Sequence, residues 1–141
     1  MRRAPVIAAI SALALALPAV AAETWVSYTE PTDRGLQWSF DSAYSYRDAA
    51  SGRVVVLTAI GKVGANPRMG PSGPGAADGV GFVYALDCKA NNLISMGGYS
   101  PRKPLEISGE WRSASPKKAD GADDAALMRQ ACAAADSLPS R

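Results

Sequence analysis

The stretch from Gly79 to Cys88 constrains the fold of this chain more than any other stretch. As a β-strand it would direct successive side chains to opposite faces of a sheet. One of those faces would carry small side chains. The other would carry bulky apolar side chains and end in a cysteine. The bulky face would consist of Val80, Phe82, Tyr84, Leu86 and Cys88. We therefore expect another element to cover this face and to be attached to it through Cys88.

The only other cysteine is Cys132. Two cysteines in an exported chain favour one disulfide. A disulfide between Cys88 and Cys132 would close a loop of the chain. By lowering the entropy of the unfolded chain, it would stabilise the fold by about 4 kcal/mol, a figure at the upper end for such a bond. The alternative is two free thiols, one of them reactive, but the chain has no histidine to activate a thiolate.

The N-terminus has the three-part pattern of a secretory signal peptide. Arg2 and Arg3 precede an apolar run, Val6–Leu17, and small residues follow up to Ala22. We predict removal of residues 1–22, with cleavage after Ala21 as the alternative. A transmembrane anchor would need about 18 or more apolar residues, and this run is shorter. No cysteine follows the run, so a lipid-modified N-terminus is not expected. The arginine pair lacks the context of a twin-arginine signal, which favours ordinary secretion.

Residues 23–141 are enough for one compact domain. Without the leader this segment has 13 basic and 13 acidic side chains, so its formal net charge is zero. The chain therefore has no basic field to attract nucleic acid or anionic lipid. We expect an exported protein in the periplasm, outside the cell or at its surface, with no transmembrane anchor after signal removal. The residues do not indicate an oligomeric state.

Alternating or continuous apolar runs predict about six strands. Tyr44–Asp48 either continues the second of them after a kink or starts another strand. Arg53–Val63 is apolar on both faces, which is typical of a central strand. The six predicted strands are Thr24–Thr29, Leu36–Asp41, Arg53–Val63, Gly79–Cys88, Leu93–Tyr99 and Ile107–Ser113.

The segments between these strands are rich in turn-forming residues. Ala49–Gly52 and Lys89–Asn92 are predicted turns, and Pro101–Pro104 is a predicted connecting loop. Gly64–Asp78 is rich in Gly and Pro and is predicted to be a mobile loop. No Lys-Ser or Lys-Thr follows its glycines, so it is not a phosphate-binding loop. Within the fifth strand, the Gly97-Gly98 pair suggests a bulge or a close backbone approach.

The C-terminal region changes to a helical pattern. Asp120–Asp124 supplies capping and first-turn acids, and Ala125–Ala135 is rich in helix-forming residues. Spacings of three and four place one apolar stripe on this helix, consisting of Leu127, Met128, Ala131, Cys132 and Ala135. The last four residues, 138–141, are expected to fray. The predicted fold is α+β: a single antiparallel sheet of about six strands, with a C-terminal helix packed on one face and tethered by the disulfide.

Catalytic chemistry is not indicated by the residues. Histidine is absent, and Asp41 and Asp87 would form a carboxylate pair only if the fold brought them together. Asp120–Asp124 lacks the ligand spacing of a calcium loop. We therefore expect a protein that is not an enzyme and needs no cofactor or metal.

The predicted binding surface consists of Trp111, Arg102, Lys103 and Tyr99, because aromatic residues and arginine dominate interface anchors. Trp25 and Trp38 are further candidates for an exposed aromatic patch. Core packing is the alternative for each aromatic side chain. A solvated rim is the alternative for the cations.

The order of these features resembles the surface-adhesin E family of small exported bacterial proteins. The resemblance rests on an early Trp25, Asp41 with Tyr44 before a glycine turn, Leu86-Asp87-Cys88 after a tyrosine, and then Tyr99, Trp111 and a late Cys132. It covers nearly all of residues 23–141. It implies a six-stranded sheet with a disulfide-tethered helix. For the best-known member it also implies adhesion to host matrix and serum proteins such as laminin and vitronectin.

The functional hypothesis is a non-enzymatic binding or adhesion domain of the bacterial envelope, which contacts a host matrix or envelope macromolecule. The alternative is a periplasmic carrier of a small apolar or planar ligand. Such a ligand would lie between sheet and helix, beside Phe82, Tyr84 and Trp111.

Overall fold

The structure is a computed structural model that describes residues 23–64 and 79–141. The predicted signal peptide and nearly all of the predicted mobile loop lie outside these residues. Eight strands and one α-helix are present in the described ranges. They are β1 (Trp25–Ser27), β2 (Leu36–Asp41), β3 (Tyr46–Arg47), β4 (Val54–Lys62), β5 (Gly81–Asp87), β6 (Asn92–Ser100), β7 (Lys103–Ile107), β8 (Lys117–Lys118) and α1 (Ala122–Cys132).

The strands form one antiparallel sheet with the order β1-β2-β4-β5-β6-β7. Two short strands share positions with longer ones: β3 pairs with β4 beyond the end of β2, and β8 pairs with β6 beyond the end of β7. The sheet is therefore about six strands wide, as predicted, and the α+β class is confirmed. The structure also shows what Tyr44–Asp48 does. After an interruption at residues 42–45 the chain forms a separate short strand, β3, which pairs with the same edge of β4 as β2 does.

The predicted strand around Trp111 is wrong. The last long strand is β7, which includes part of the predicted connecting loop Pro101–Pro104. A proline is tolerated there because β7 is an edge strand with one side free of the ladder. Trp111 begins a short 3₁₀-helix, and its side chain is buried against the sheet. A single tryptophan without alternating apolar neighbours can be buried by such a turn as well as by a strand.

The helix begins at Ala122, within the predicted capping and first-turn segment Asp120–Asp124, and ends at Cys132, three residues before the predicted helical stretch does. Its N-cap is Gly121, which makes no side-chain cap, so the predicted capping by the acidic run is wrong. The predicted first-turn acids are present as Asp123 and Asp124. Ala135 belongs to a separate 3₁₀-helix, Ala135–Ser137.

Each face of the sheet has its own apolar core. Under the helix, Leu127, Met128 and Ala131 pack against buried residues of four strands, Phe40, Val54, Val56, Leu86 and Leu93. On the other face the central strands are closed over by Met96, Tyr99 and Trp111. The fully buried residues beneath them are Val55, Val83 and Ala85. Val54–Ala59 is buried on both faces, as expected for a central strand.

A bulge in β6 confirms the interpretation of its paired glycines. Tyr84 pairs with Ser95 and Val83 pairs with Gly97, so Met96 is an extra residue in β6. Gly97 also allows close approach of β7, because a Cβ atom there would collide with the carbonyl oxygen of Glu106.

The C-terminal tail is ordered against β3, so the expected fraying of residues 138–141 is wrong. Ser140 bridges Arg47 in a parallel arrangement. The Arg47 backbone donates to the Pro139 carbonyl oxygen at 2.8 Å and accepts from the Arg141 N–H at 2.9 Å. The Arg141 guanidinium lies 5.0 Å from the ring centre of Tyr46. The tail satisfies backbone groups of β3 that would otherwise face solvent.

We expect deletion of residues 139–141 to lower the free energy of unfolding by about 1 to 2 kcal/mol, the net value of a few partly exposed hydrogen bonds. Urea denaturation would measure the change. In the matched control, Arg141→Ala, the backbone bonds remain and only the ring contact is lost. That variant should lose less than about 1 kcal/mol. Equal stability of the deletion and the intact chain would contradict a role for the tail.

Candidate functional site

The disulfide predicted between Cys88 and Cys132 is present, with the two Cα atoms 5.9 Å apart. It joins the end of β5 to the end of α1, so the helix lies on the predicted bulky face. Leu86 is fully buried beneath the helix, and Leu127 on the helix is almost fully buried as well.

The helix is too short to cover that whole face. Eleven residues of α-helix span about 16 Å, whereas the seven residues of β5 span about 23 Å and the nine of β4 span about 30 Å. The part of the face beyond the helix N-terminus is therefore open. It is formed by partly exposed side chains of β2, β4 and β5 and by Val80, which precedes β5. We call it the aromatic strip, and its members are Trp38, Ile60, Val80, Phe82 and Tyr84.

The rings of the strip are in contact with one another. The ring centres of Trp38 and Phe82 are 5.9 Å apart, and those of Phe82 and Tyr84 are 5.7 Å apart. Trp38 and Phe82 lie on strands that are not adjacent, so their rings meet above β4. Thr58, the β4 residue paired with Phe82, is fully buried. Its hydroxyl donates to the Phe82 carbonyl oxygen at 3.1 Å, so the buried polar group is satisfied.

The two ends of the strip differ in their charged neighbours, because the Asp124 carboxylate at the helix end is paired with Lys117, with Nζ 3.1 Å from Oδ2. Next to the helix N-terminus, burial and then the Asp124 carboxylate raise the pKa of the Tyr84 phenol, which stays protonated at neutral pH. At the far end are Lys62 and Lys103, two exposed lysines that form no ion pair with any residue in 23–64 or 79–141. The far end is therefore the place where an acidic group of a partner would be favoured.

A shallow apolar hollow of about 220 Å³ lies at the lysine end of the strip. Phe82 packs closely over Gly98, where a Cβ atom would come within 3.0 Å of the ring. The residues that line the hollow are Val80, Phe82, Gly98, Tyr99, Ser100 and Lys103. The hollow is large enough for one apolar side chain of a partner.

The structure divides the predicted binding residues. Arg102 and Lys103 are exposed, whereas Trp111 and Tyr99 are each only 5% exposed. The Tyr99 hydroxyl donates to the Thr58 carbonyl oxygen at 3.3 Å. Trp111 packs on the opposite face of the sheet from Phe82 and Tyr84, so these three residues do not line one ligand site.

Ile60 and Val80 were not among the predicted binding residues, whereas Trp38 was a candidate for an exposed aromatic patch. Their pattern in the sequence is that of ordinary half-buried strands. The comparison of helix length with strand length would have found them, because the predicted helix was also about eleven residues long.

The two strand-end aspartates have separate local roles. Asp41 is buried and its Oδ1 accepts from the backbone N–H groups of Thr24 and Ala43 at 2.8 and 3.0 Å. Oδ1 of Asp87 accepts from the N–H groups of Lys89 and Ala90 at 3.0 and 2.9 Å. In the described residues, no three side chains of the types His, Cys, Asp and Glu lie close enough to hold a metal ion.

Comparisons with known proteins do not place the chain in a family. No family model, curated protein or solved structure matches it. The resemblance to the surface-adhesin E family therefore remains a proposal. Within residues 23–64 and 79–141, no helix has the length and apolar character needed to cross a bilayer.

Proposed function

We propose that this protein is an exported, non-enzymatic binding domain of the surface-adhesin E type, with the aromatic strip as its contact surface. The proposed partner is a protein of the host matrix or serum. One observation carries the proposal: the terminal helix covers only part of the bulky face, and the rest consists of the exposed Val80 and of partly exposed aromatic rings. Exposed clustered apolar surface of this kind marks interaction sites in soluble proteins.

The chemistry of the strip suits a protein partner. Aromatic side chains bury a large area with little loss of conformational entropy, and their contacts commonly dominate interfaces. Lys62 and Lys103 add a cationic border at one end, which would favour an acidic side chain next to the apolar contact. The proposed footprint thus combines an apolar centre with a charged rim, as in many non-obligate interfaces.

The carrier alternative is less well supported. The space between helix and sheet is filled by Leu127, Met128 and Leu86, which are 5% exposed or less. The hollow at the lysine end is shallow, and it lies beyond the helix rather than beneath it.

Solid-phase binding tests the proposal. The protein, expressed as the full chain and purified with its disulfide formed, is applied to immobilised laminin and vitronectin. We expect Val80→Asp and Lys103→Glu each to weaken binding by roughly tenfold, because each places a negative charge in the footprint.

Two exposed residues away from the strip provide matched controls. Val80 is 40% exposed, and Ile107 is 42% exposed and pairs with Gly97 on the opposite face. Ile107→Asp and Lys118→Glu should therefore leave binding unchanged. Failure of the unsubstituted protein to bind either target would overturn the proposed partner. Equal loss in strip and control variants would exclude the strip as the contact surface.

A further inference from the structure

A second cleft lies beside the disulfide, at the opposite end of β5 from the hollow. Its volume is about 460 Å³, which falls in the range of about 300 to 1,000 Å³ that is usual for small-molecule sites. Both Cys88 and Cys132 line it. The other walls come from β3, the turn before β4, the β5–β6 hairpin and the 3₁₀-helix after α1. No residue of the aromatic strip contributes to it.

Three cationic side chains line this cleft, and two of them are held in place by the fold. Arg47 donates through Nη2 to the Ala135 carbonyl oxygen at 2.8 Å. Arg53 donates through Nη1 to Oδ1 of Asn92 at 2.9 Å. Each guanidinium retains N–H groups that donate to no acceptor in the described part of the chain. The third cation is Lys89, which is exposed and forms no hydrogen bond or salt bridge with the same residues. Lys89 and Arg53 both interact electrostatically with the Asp87 carboxylate.

Two carboxylates also line the cleft, and neither neutralises the arginines by a direct hydrogen bond. Asp87 directs Oδ1 at backbone N–H groups of the following turn. Asp136 has a fully exposed side chain and lies 3.7 Å from Nη2 of Arg47, so water screens this ion pair. With three cations and two carboxylates, the cleft has an excess of one positive charge.

We propose that this cleft binds a small organic molecule with a single carboxylate. The excess charge matches one carboxylate, and the planar guanidinium group matches carboxylate geometry better than an ammonium group does. The cleft is several times larger than a carboxylate, so the ligand also has a body. That body would rest on the less polar part of the lining, formed by the disulfide, Val54 and Ala135.

NMR titration of the ¹⁵N-labelled protein tests the site, with four probes at matched ionic strength. Benzoate has the charge and a body, acetate has the charge alone, benzyl alcohol has the body alone, and chloride tests simple screening. We expect saturable shifts of the amides in residues 51–53 and 87–89 with benzoate. Acetate should shift the same amides with roughly tenfold weaker affinity, and the other two probes should not shift them.

Substitutions separate carboxylate binding from general adsorption. Arg53→Gln should weaken benzoate binding roughly tenfold, the value of one charge-assisted hydrogen bond. Lys89→Gln removes an exposed cation that makes no hydrogen bond, and it should weaken binding roughly threefold. Arg129→Gln, on an exposed position of α1, is the matched control and should bind like the unsubstituted protein.

Three results would overturn the site. The first is that benzyl alcohol or chloride shifts the same amides as strongly as benzoate does. The second is that the shifts with benzoate do not saturate. The third is that the Lys89→Gln and Arg129→Gln variants bind benzoate with equal affinity. None of these depends on binding to laminin or vitronectin, so the cleft and the strip can fail independently.

Discussion

Replacement of Cys88 and Cys132 together by alanine is expected to lower the free energy of unfolding by about 4 kcal/mol. The disulfide closes a loop with a sequence separation of 44 residues, and the loop-entropy relation gives this value for a loop of that size. A domain of this size is commonly stable by only about 5 to 15 kcal/mol. The loss should therefore be visible as a large shift of the denaturation midpoint.

The helix should respond to this change more than the sheet. Besides the disulfide, α1 is held on the sheet chiefly by Leu127, Met128 and Ala131. We expect hydrogen exchange in residues 122–132 to accelerate more than exchange in β4 and β5. Treatment of the unsubstituted protein with a reductant is the control and should reproduce the effect. A double alanine variant with unchanged stability would show that the tether does not stabilise the domain.

Replacement of Arg112 by alanine is expected to lower the free energy of unfolding at pH 7, because it leaves the carboxylate of Asp48 without its cation. Asp48 is 3% exposed, and the Arg112 side chain contacts both of its carboxylate oxygens, with Nε 2.9 Å from Oδ2. The guanidinium also lies 4.5 Å from the ring centre of Trp111. One ion pair thus fastens the 3₁₀-helix to the turn before β4.

The same pair predicts a pH dependence. The pKa of Asp48 is lowered from its ordinary value of 3.8 to about 2, and the main cause is the hydrogen bonds that Arg112 donates to its carboxylate. Because the folded-state pKa is the lower of the two, the contribution to stability is complete above about pH 4 and is lost as the pH falls toward 2. A shift of this size corresponds to about 2 kcal/mol. Because the Arg112 side chain is 48% exposed, solvent screens the pair, and the expected loss is about 1 kcal/mol.

Denaturation curves between pH 5 and pH 2 would measure this loss. In Arg112→Ala the pKa of Asp48 should rise toward its ordinary value, so the variant should lose less stability over the same range. Arg129→Ala, an exposed helix position, is the control and should follow the unsubstituted protein. Parallel pH profiles for the two variants would contradict the assigned role of Arg112.

The parts of the fold that depend on local periodicity could be predicted from the sequence. Alternation places Phe82, Tyr84 and Leu86 on one face of a strand, and helical spacing places Leu127 and Ala131 on one stripe. A disulfide between Cys88 and Cys132 then places the apolar stripe of the helix on that face of the strand. Each of these inferences needs only a short window of sequence or a count of cysteines.

Features that depend on the edges of the sheet could not be predicted in this way. β7 contains a proline, and only its position at the edge makes that residue acceptable. The tail residues 139–141 have no strand-like pattern, because their hydrogen bonds are made through the backbone with β3. Arg47, Arg53 and Lys89 line one cleft because β3, β4 and the hairpin end together, which no spacing in the sequence indicates.

The covalent link between Cys88 and Cys132 also limits how far the chain can be drawn out by a mechanical load. If tension is applied at the two ends, residues 89–131 lie within the closed loop and do not lengthen. At about 3.4 Å per residue, the disulfide therefore shortens the fully extended chain by roughly 150 Å. The parallel bridge between the tail and β3 lies outside the loop and would therefore bear the pull directly. A protein held by both a surface and a partner would in this way remain short under load.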